Sequence, residues 1–215
     1  ISGSKGTLGY NQMVEFWAQF DPYTMNTMLC SNATMTAMLK IPDAVIHPIV
    51  RHESRCRREA WVAENLAFLS PLRELAERLG LCLCIENMAG KPYASHPAEA
   101  VYGSRAEDIR ELADRLQAQV CWDFGHANIN AKDSGIPQSE ALAYVGSRLK
   151  VLHVNDNVAE DDLHLPPFIG NTDWKDAMKG LASTGFNGLF NYELGTARIA
   201  SSLRDDFARD IVDAA

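Results

Sequence analysis

Short apolar runs alternate with longer segments of helical periodicity from residue 44 to residue 193. The apolar runs cover residues 44–50, 81–86, 118–123, 149–155 and 188–193. The run at 81–85, LCLCI, is apolar at every position, which is typical of a strand covered on both faces, as in a parallel sheet. The pattern therefore predicts five parallel strands.

The intervening segments predict helices. Apolar residues recur at helical spacing over residues 71–80, where Gly80 supplies a stop. Ser104 and Glu107 form a capping-box motif ahead of another helical pattern. Asp173 is a favourable cap for a helix that begins at Trp174. Strand and helix thus alternate along this whole part of the chain.

Such alternation fits either a (β/α)8 TIM barrel or an open, doubly wound sheet. Most predicted strands finish on or beside an ionisable residue: Glu86, Asp123, His153 and Glu193, with His47 inside the first run. In a barrel all carboxyl ends converge on one mouth, whereas an open sheet spreads them along an edge. We therefore predict a single α/β TIM barrel domain spanning residues 1–215. A complete barrel takes roughly 250 residues, so we expect it to be incomplete at the N-terminal end.

Composition narrows the function classes. The chain has 215 residues, 47% of them hydrophobic and 22% charged, which excludes a disordered, collagen-like or coiled-coil protein. Its formal net charge of −8 argues against a broad nucleic-acid or anionic-membrane surface. There is neither a signal-peptide pattern nor an 18-residue apolar run, and the five cysteines are too few for a disulfide scaffold. We expect a cytoplasmic protein in which Cys82 and Cys84 are small core residues.

The strand-end residues form a plausible metal site. Glu86, Asp123 and Glu193 supply carboxylates and His153 supplies an imidazole. Three oxygens and one nitrogen suit Mn²⁺, Mg²⁺ or Co²⁺ and are acceptable to Zn²⁺. Four such groups at one mouth would repel one another without a cation. The predicted cofactor is therefore one divalent metal ion.

Several motifs resemble those of the sugar phosphate isomerase/epimerase superfamily, the xylose isomerase-like TIM barrels that are related to endonuclease IV. The matching segments are VIHP at 45–48, IENM at 85–88, CWDFGHAN at 121–128, LHVNDN at 152–157, DLH at 162–164, GNTDW at 170–174 and YE at 192–193. They occur in the expected order and cover residues 44 to about 195. Each segment is weak by itself, but DFGH at 123–126 and the stretch from His164 to Trp174 are together fairly specific.

The resemblance implies an isomerase or epimerase that acts on a small sugar or polyhydroxy carbonyl compound. It implies that Glu86, Asp123, His153 and Glu193 hold the divalent cation. Glu86 and Glu193, on opposite sides of the substrate, would be the catalytic pair that exchanges the proton next to a carbonyl, through an enediolate. The substrate-binding residues would be His47, His126, Asp162 and His164.

Other activities use the same residues. In the endonuclease IV relatives, positions that resemble His47, His126, Asp162 and His164 hold further zinc ions, which leaves a multi-zinc phosphodiesterase open. The acidic net charge argues against that alternative. A metal-dependent sugar dehydratase or lyase and a non-catalytic sugar-binding barrel also remain. We expect a small sugar as partner, neither nucleic acid nor membrane, and leave a homo-oligomer open.

Overall fold

The computed structural model describes residues 43–53, 55–90 and 101–195. Its strands are β1 (Asp43–Ile46), β2 (Arg51–His52), β3 (Cys82–Glu86), β4 (Val101–Tyr102), β5 (Gln119–Asp123), β6 (Leu149–Val154) and β7 (Leu189–Tyr192). Its α-helices are α1 (Arg58–Arg78), α2 (Ala106–Leu116), α3 (Phe124–Ser134), α4 (Gln138–Val145) and α5 (Trp174–Thr184). The expected incompleteness of the barrel concerns residues 1–42, which lie outside the described residues.

The five predicted strands form one sheet in the order β1-β3-β5-β6-β7. Every neighbouring pair in this sheet is parallel, as predicted. Each strand pairs with the strand of this sheet that precedes it in the chain, so all the carboxyl ends lie at the same edge. The antiparallel pair of β2 and β4 was not predicted, because two residues are too few for a period to show.

The two faces of this sheet have different neighbours. Ile46, Ile85, Trp122 and Leu152 belong to the large core formed with the helices. The opposite, inner face carries a small cluster made of Val45, Cys84, Cys121 and Val151, all of them buried. Because strand side chains alternate, residues two positions later than these four also lie on the inner face. Those residues are His47, Glu86, Asp123 and His153.

The helix ends differ in part from the prediction. Helix α1 begins at Arg58 rather than near Pro71, because a buried stripe that includes Trp61, Asn65 and Leu69 continues through the proline. Ser104 does not cap α2: its hydroxyl donates to the carbonyl of Val101, and Arg105 is the N-cap residue. The predicted cap of α5 is confirmed by a hydrogen bond to the Asp173 side chain. Among the helices of the described ranges, none has the length and apolarity needed to cross a membrane.

Candidate metal centre

The carboxyl ends of four strands bring four ionisable side chains together. Glu86 ends β3, Asp123 ends β5, His153 lies one residue before the end of β6, and Glu193 directly follows β7. One ligand atom from each of these residues lies within 4.8 Å of the ligand atoms of the other three. The four residues that the sequence predicted as metal ligands are thus adjacent in space.

The imidazole of His153 is the centre of this group. Its Nδ1 atom lies 3.1 Å from Glu86 Oε1, 2.8 Å from Glu193 Oε2 and 3.9 Å from Asp123 Oδ2. Glu86, Asp123 and His153 are buried, whereas the Glu193 side chain is 21% exposed. The group is therefore reached from the side of Glu193.

Two asparagines fix the position of Asp123. The side chain of Asn87 exchanges hydrogen bonds with the Asp123 backbone, accepting from its amide at 2.7 Å and donating to its carbonyl at 3.1 Å. Asn155 Nδ2 donates to Asp123 Oδ2 at 2.7 Å. A Cβ atom at Gly125 would lie 1.9 Å from the Asn155 side-chain oxygen, so the close approach of Asn155 to residue 125 requires a glycine there. Sequence reasoning gave these asparagines no role, although each closely follows a predicted ligand.

The electrostatics of the site favour a cation. Burial would raise the pKa of the Glu86 carboxyl, but His153 and His47 lower it well below its usual range. Burial also raises the pKa of Asp123. Burial would lower the pKa of His153, yet Cys121 and Glu86 beside it raise it well above that of a free imidazole. Positive charge at this point is therefore stabilised by the surrounding acids, and the donor set of three carboxylates and one imidazole fits a divalent cation.

The four predicted substrate-binding residues border this group. Asp162 Oδ2 lies 3.2 Å from His126 Nε2 and 3.0 Å from His164 Nε2. His164 Nδ1 donates to the backbone carbonyl of Glu193 at 2.9 Å. His47 Nε2 lies 3.1 Å from Glu86 Oε2. Each of these histidines thus contacts a proposed metal ligand or a residue next to one.

The Asp162 carboxylate raises the pKa of both histidines that it contacts. Burial would lower the pKa of His164, but the hydrogen bond to Asp162 raises it to about 9. His126 has a pKa well above the usual value for a histidine, because the effect of burial is outweighed by Asp123 and Asp162. Burial would raise the pKa of Asp162, and the two histidines instead lower it. On this side of the mouth the two histidines therefore favour the protonated form, and their ring nitrogens contact Asp162 and the backbone carbonyls of Asn87 and Glu193.

Asp156 anchors the loop that carries Asp162 and His164. Its carboxylate accepts hydrogen bonds from Thr172 Oγ1 at 2.6 Å, from Trp174 Nε1 at 3.0 Å and from the Gly170 amide at 3.1 Å. Its backbone exchanges two hydrogen bonds with Leu165, both 2.8 Å long. Hydrogen bonds thus fix the loop near its middle and at its end, and they position its polar side chains next to the strand ends.

A family comparison agrees with this geometry. The family model described as a xylose isomerase-like TIM barrel matches residues 28–211. The chain belongs to this family. The predicted barrel fold is therefore confirmed, and the curled parallel sheet is the described part of this xylose isomerase-like TIM barrel.

Relatives of this xylose isomerase-like chain include proteins of known sequence and known structure. It is 28% identical over 134 residues to the uncharacterized protein MJ1311 of Methanocaldococcus jannaschii, and the match covers 60% of the chain and 42% of that protein. The chain thus spans less than half the length of this relative. A crystal structure of a D-tagatose 3-epimerase-like protein is similar over 98% of the chain and 84% of that protein, with a TM-score of 0.61 and 20% identity.

Two further solved structures share the fold. The crystal structure of the IolI protein with a bound zinc atom matches 98% of the chain and 71% of that protein, with a TM-score of 0.61 and 17% identity. D-psicose 3-epimerase, crystallised in the presence of D-fructose, matches 84% of the chain and 65% of that protein, with a TM-score of 0.57 and 14% identity. At these sequence identities the similarity concerns the fold alone.

Proposed function

We propose that this chain is a divalent-cation-dependent isomerase or epimerase of a small sugar. The observation that carries the proposal is the placement of two carboxylates, those of Glu86 and Glu193, next to His153 Nδ1, at 3.1 and 2.8 Å. These carboxylates come from β3 and β7, which are separated in the sheet by β5 and β6. They therefore reach a common point from two strands that are not neighbours in the sheet.

Two such carboxylates suit proton exchange at a carbon next to a carbonyl. One carboxylate removes the proton from one face of the substrate, and the other returns a proton to the opposite face or to the neighbouring carbon. Glu86, Asp123, His153 and Glu193 would hold the cation. When bound, it would acidify the C–H bond between a hydroxyl and a carbonyl and stabilise the enediolate.

The remaining polar residues of the mouth would bind the substrate. His126 and His164, both paired with Asp162, would form the polar wall that meets the hydroxyl groups of the substrate. His47 Nε2 contacts Glu86 Oε2 and would bias which oxygen of that carboxylate is free to take a proton. Epimerases with this fold that are named for D-tagatose and D-psicose support a ketohexose as the first substrate to test.

The Glu193→Gln variant tests the proton-transfer role. We expect it to remain folded and to lose about 10²–10⁴-fold in the rate of solvent deuterium incorporation into D-tagatose, D-psicose or D-fructose, because the amide cannot accept the proton. Nuclear magnetic resonance in D₂O with added Mn²⁺ measures this exchange. Glu140→Gln, at an exposed position on α4, is the matched control and should exchange like the parent chain. Exchange in Glu193→Gln at the parent rate would refute the assignment.

A second candidate is a multi-zinc phosphodiesterase, which the contacts of Asp162 with His126 and His164 favour. These three side chains could hold additional zinc ions next to the first site. The net charge of −8 opposes the approach of a polyanionic substrate. Two or three zinc ions per chain with hydrolysis of bis(p-nitrophenyl) phosphate would support this activity, whereas one ion with sugar exchange would support the isomerase.

A further inference from the structure

A second cluster of metal-ligating side chains lies at the other end of the strands, where β1 and β3 begin. Asp43, the first residue of β1, pairs in register with Cys82, the first residue of β3. A carboxylate oxygen of Asp43 and the Sγ atoms of Cys82 and Cys84 all lie within 4.8 Å of one another. We propose that these three residues, the thiolate cluster, bind Zn²⁺ or another thiophilic divalent cation.

The regular pleat of the strands brings the three side chains together. Cys84 belongs to the inner-face cluster with Val45, and Cys82 packs against the same cluster from two residues earlier. Asp43 stands two residues before Val45 and is thus on the inner face as well. Asp43 and Cys84 are buried, and Cys82 is partly exposed. The cluster is therefore preorganised by the sheet and can be reached from solvent at Cys82.

The donor set differs in kind from that of the mouth. Two thiolates and one carboxylate are ligands for tetrahedral Zn²⁺, with the fourth position left to solvent, whereas Mg²⁺ and Mn²⁺ prefer oxygen. Glu86 lies four residues beyond Cys82 on the same strand, roughly 13 Å away, and two residues beyond Cys84, roughly 7 Å away, so an ion held by Cys82 and Asp43 lies outside the site that contains Glu86. The chain would then hold a thiophilic cation at one end of its strands and the proposed sugar-binding cation at the other.

The pKa values of the two thiols are shifted in opposite directions: the hydrogen bond with Cys82 and burial raise the pKa of the Cys84 thiol well above its usual value, so a bound cation would have to displace that proton. The hydrogen bond with Cys84 lowers the pKa of the Cys82 thiol. Burial raises the pKa of the Asp43 carboxyl and the charge of Lys150 partly offsets this rise, so the ionised form gains from a neighbouring positive charge. As the cation binds, the two thiol protons leave to solvent and both sulfur atoms become ligands. The two cysteines that the sequence predicted as plain core residues thus acquire a chemical role.

Titration of the reduced chain with Co²⁺ tests the proposal. Thiolate ligation produces a near-ultraviolet sulfur-to-cobalt charge-transfer band, which oxygen and nitrogen ligands do not give. We expect the band in the parent chain and its loss in Cys82→Ser and in Cys84→Ser. Cys121→Ser is the matched control, because Cys121 lies beside Glu86 and His153 and would report a thiolate at the mouth. The band should persist in that variant and in Glu193→Gln.

A measurement on the unmodified chain guards against variants that fail to fold. Alkylation of Cys82, followed by mass spectrometry of the peptide that contains it, should slow when Zn²⁺ is present and remain unchanged with Mn²⁺. Absence of the cobalt band in the parent chain, its loss only in Cys121→Ser, or alkylation that ignores Zn²⁺ would each overturn the proposal. Because sugar exchange is not a readout here, these outcomes are independent of the proposed isomerase activity.

Discussion

At the scale of single residues, position relative to a strand end was the most informative signal. Glu86, Asp123 and His153 could be predicted as neighbours because parallel strands deliver their last side chains to one edge. The supporting side chains could not be predicted in this way. Asp156 acts through Thr172 and Trp174, whose approach depends on how the following loop folds back, and sequence spacing does not determine that path.

Asp156 provides a test of one such support. Burial would raise the pKa of its carboxyl, but hydrogen bonds from Thr172 and Trp174 lower it below the ordinary value of 3.8. The folded state therefore favours the carboxylate. This stabilisation is complete above the ordinary pKa and is lost as the pH falls through the lower, folded-state pKa.

We expect Asp156→Asn to reduce the free energy of unfolding at neutral pH by about 2 kcal/mol, because its amide group would face N–H donors. The difference from the parent chain should shrink as the pH falls below the ordinary carboxyl pKa. Urea unfolding at a series of pH values measures it. Asp161→Asn, an exposed carboxylate in the same loop, is the control. An unfolding free energy equal to that of the parent at neutral pH would contradict the anchoring role.

At the scale of elements, strands were predicted more completely than helices. Each strand is a short apolar run with clear ends, whereas α1 contains Pro71 and its first half was missed. The contact between α1 and α2 could not be predicted either, since its partners are 50 residues apart in the chain. Arg58 donates from Nε and Nη2 to Asp108 Oδ1 at 3.2 and 3.0 Å, and it also pairs with Glu111.

Removal of this guanidinium should loosen the packing of α1 on α2. Asp108 is buried. In Arg58→Ala its carboxylate loses the guanidinium and, within the described part of the chain, keeps the hydrogen bond from the Gly103 amide, which is 3.1 Å long. We expect a loss of about 1–3 kcal/mol in the free energy of unfolding. Arg57→Ala removes an exposed guanidinium one residue earlier and should be nearly neutral. Equal unfolding midpoints of the two variants in urea would show that the Arg58 contact contributes nothing.

At the scale of the whole molecule, the convergence of strand ends decided between a barrel and an open sheet. That inference needed only the order of elements and the positions of the ionisable residues, and the family comparison confirmed the barrel. The histidines around Asp162 depended on more than order. His164 adopts a positive φ of 48°, a conformation set by the loop as a whole and not visible in the spacing of the residues.

Cation binding at the mouth should stabilise the entire fold. Mn²⁺ at about 100 times its dissociation constant would add about 2.7 kcal/mol to the free energy of unfolding, because the unfolded chain does not assemble the four ligands. Thermal unfolding followed by circular dichroism, with and without a chelator, measures the effect. Glu193→Ala should abolish most of it, while Asp161→Asn should leave it intact. An equal gain in Glu193→Ala would place the Mn²⁺ elsewhere.

The order of the strands also bears on how the molecule is assembled. Each proposed ligand belongs to a different strand end, and the last of them follows β7, which pairs only with β6 in the described sheet. A chain folded as far as β6 therefore carries three of the four ligands, and a nascent chain that ends before Glu193 can carry no more. Tight cation binding would thus distinguish a finished molecule from a partly folded one.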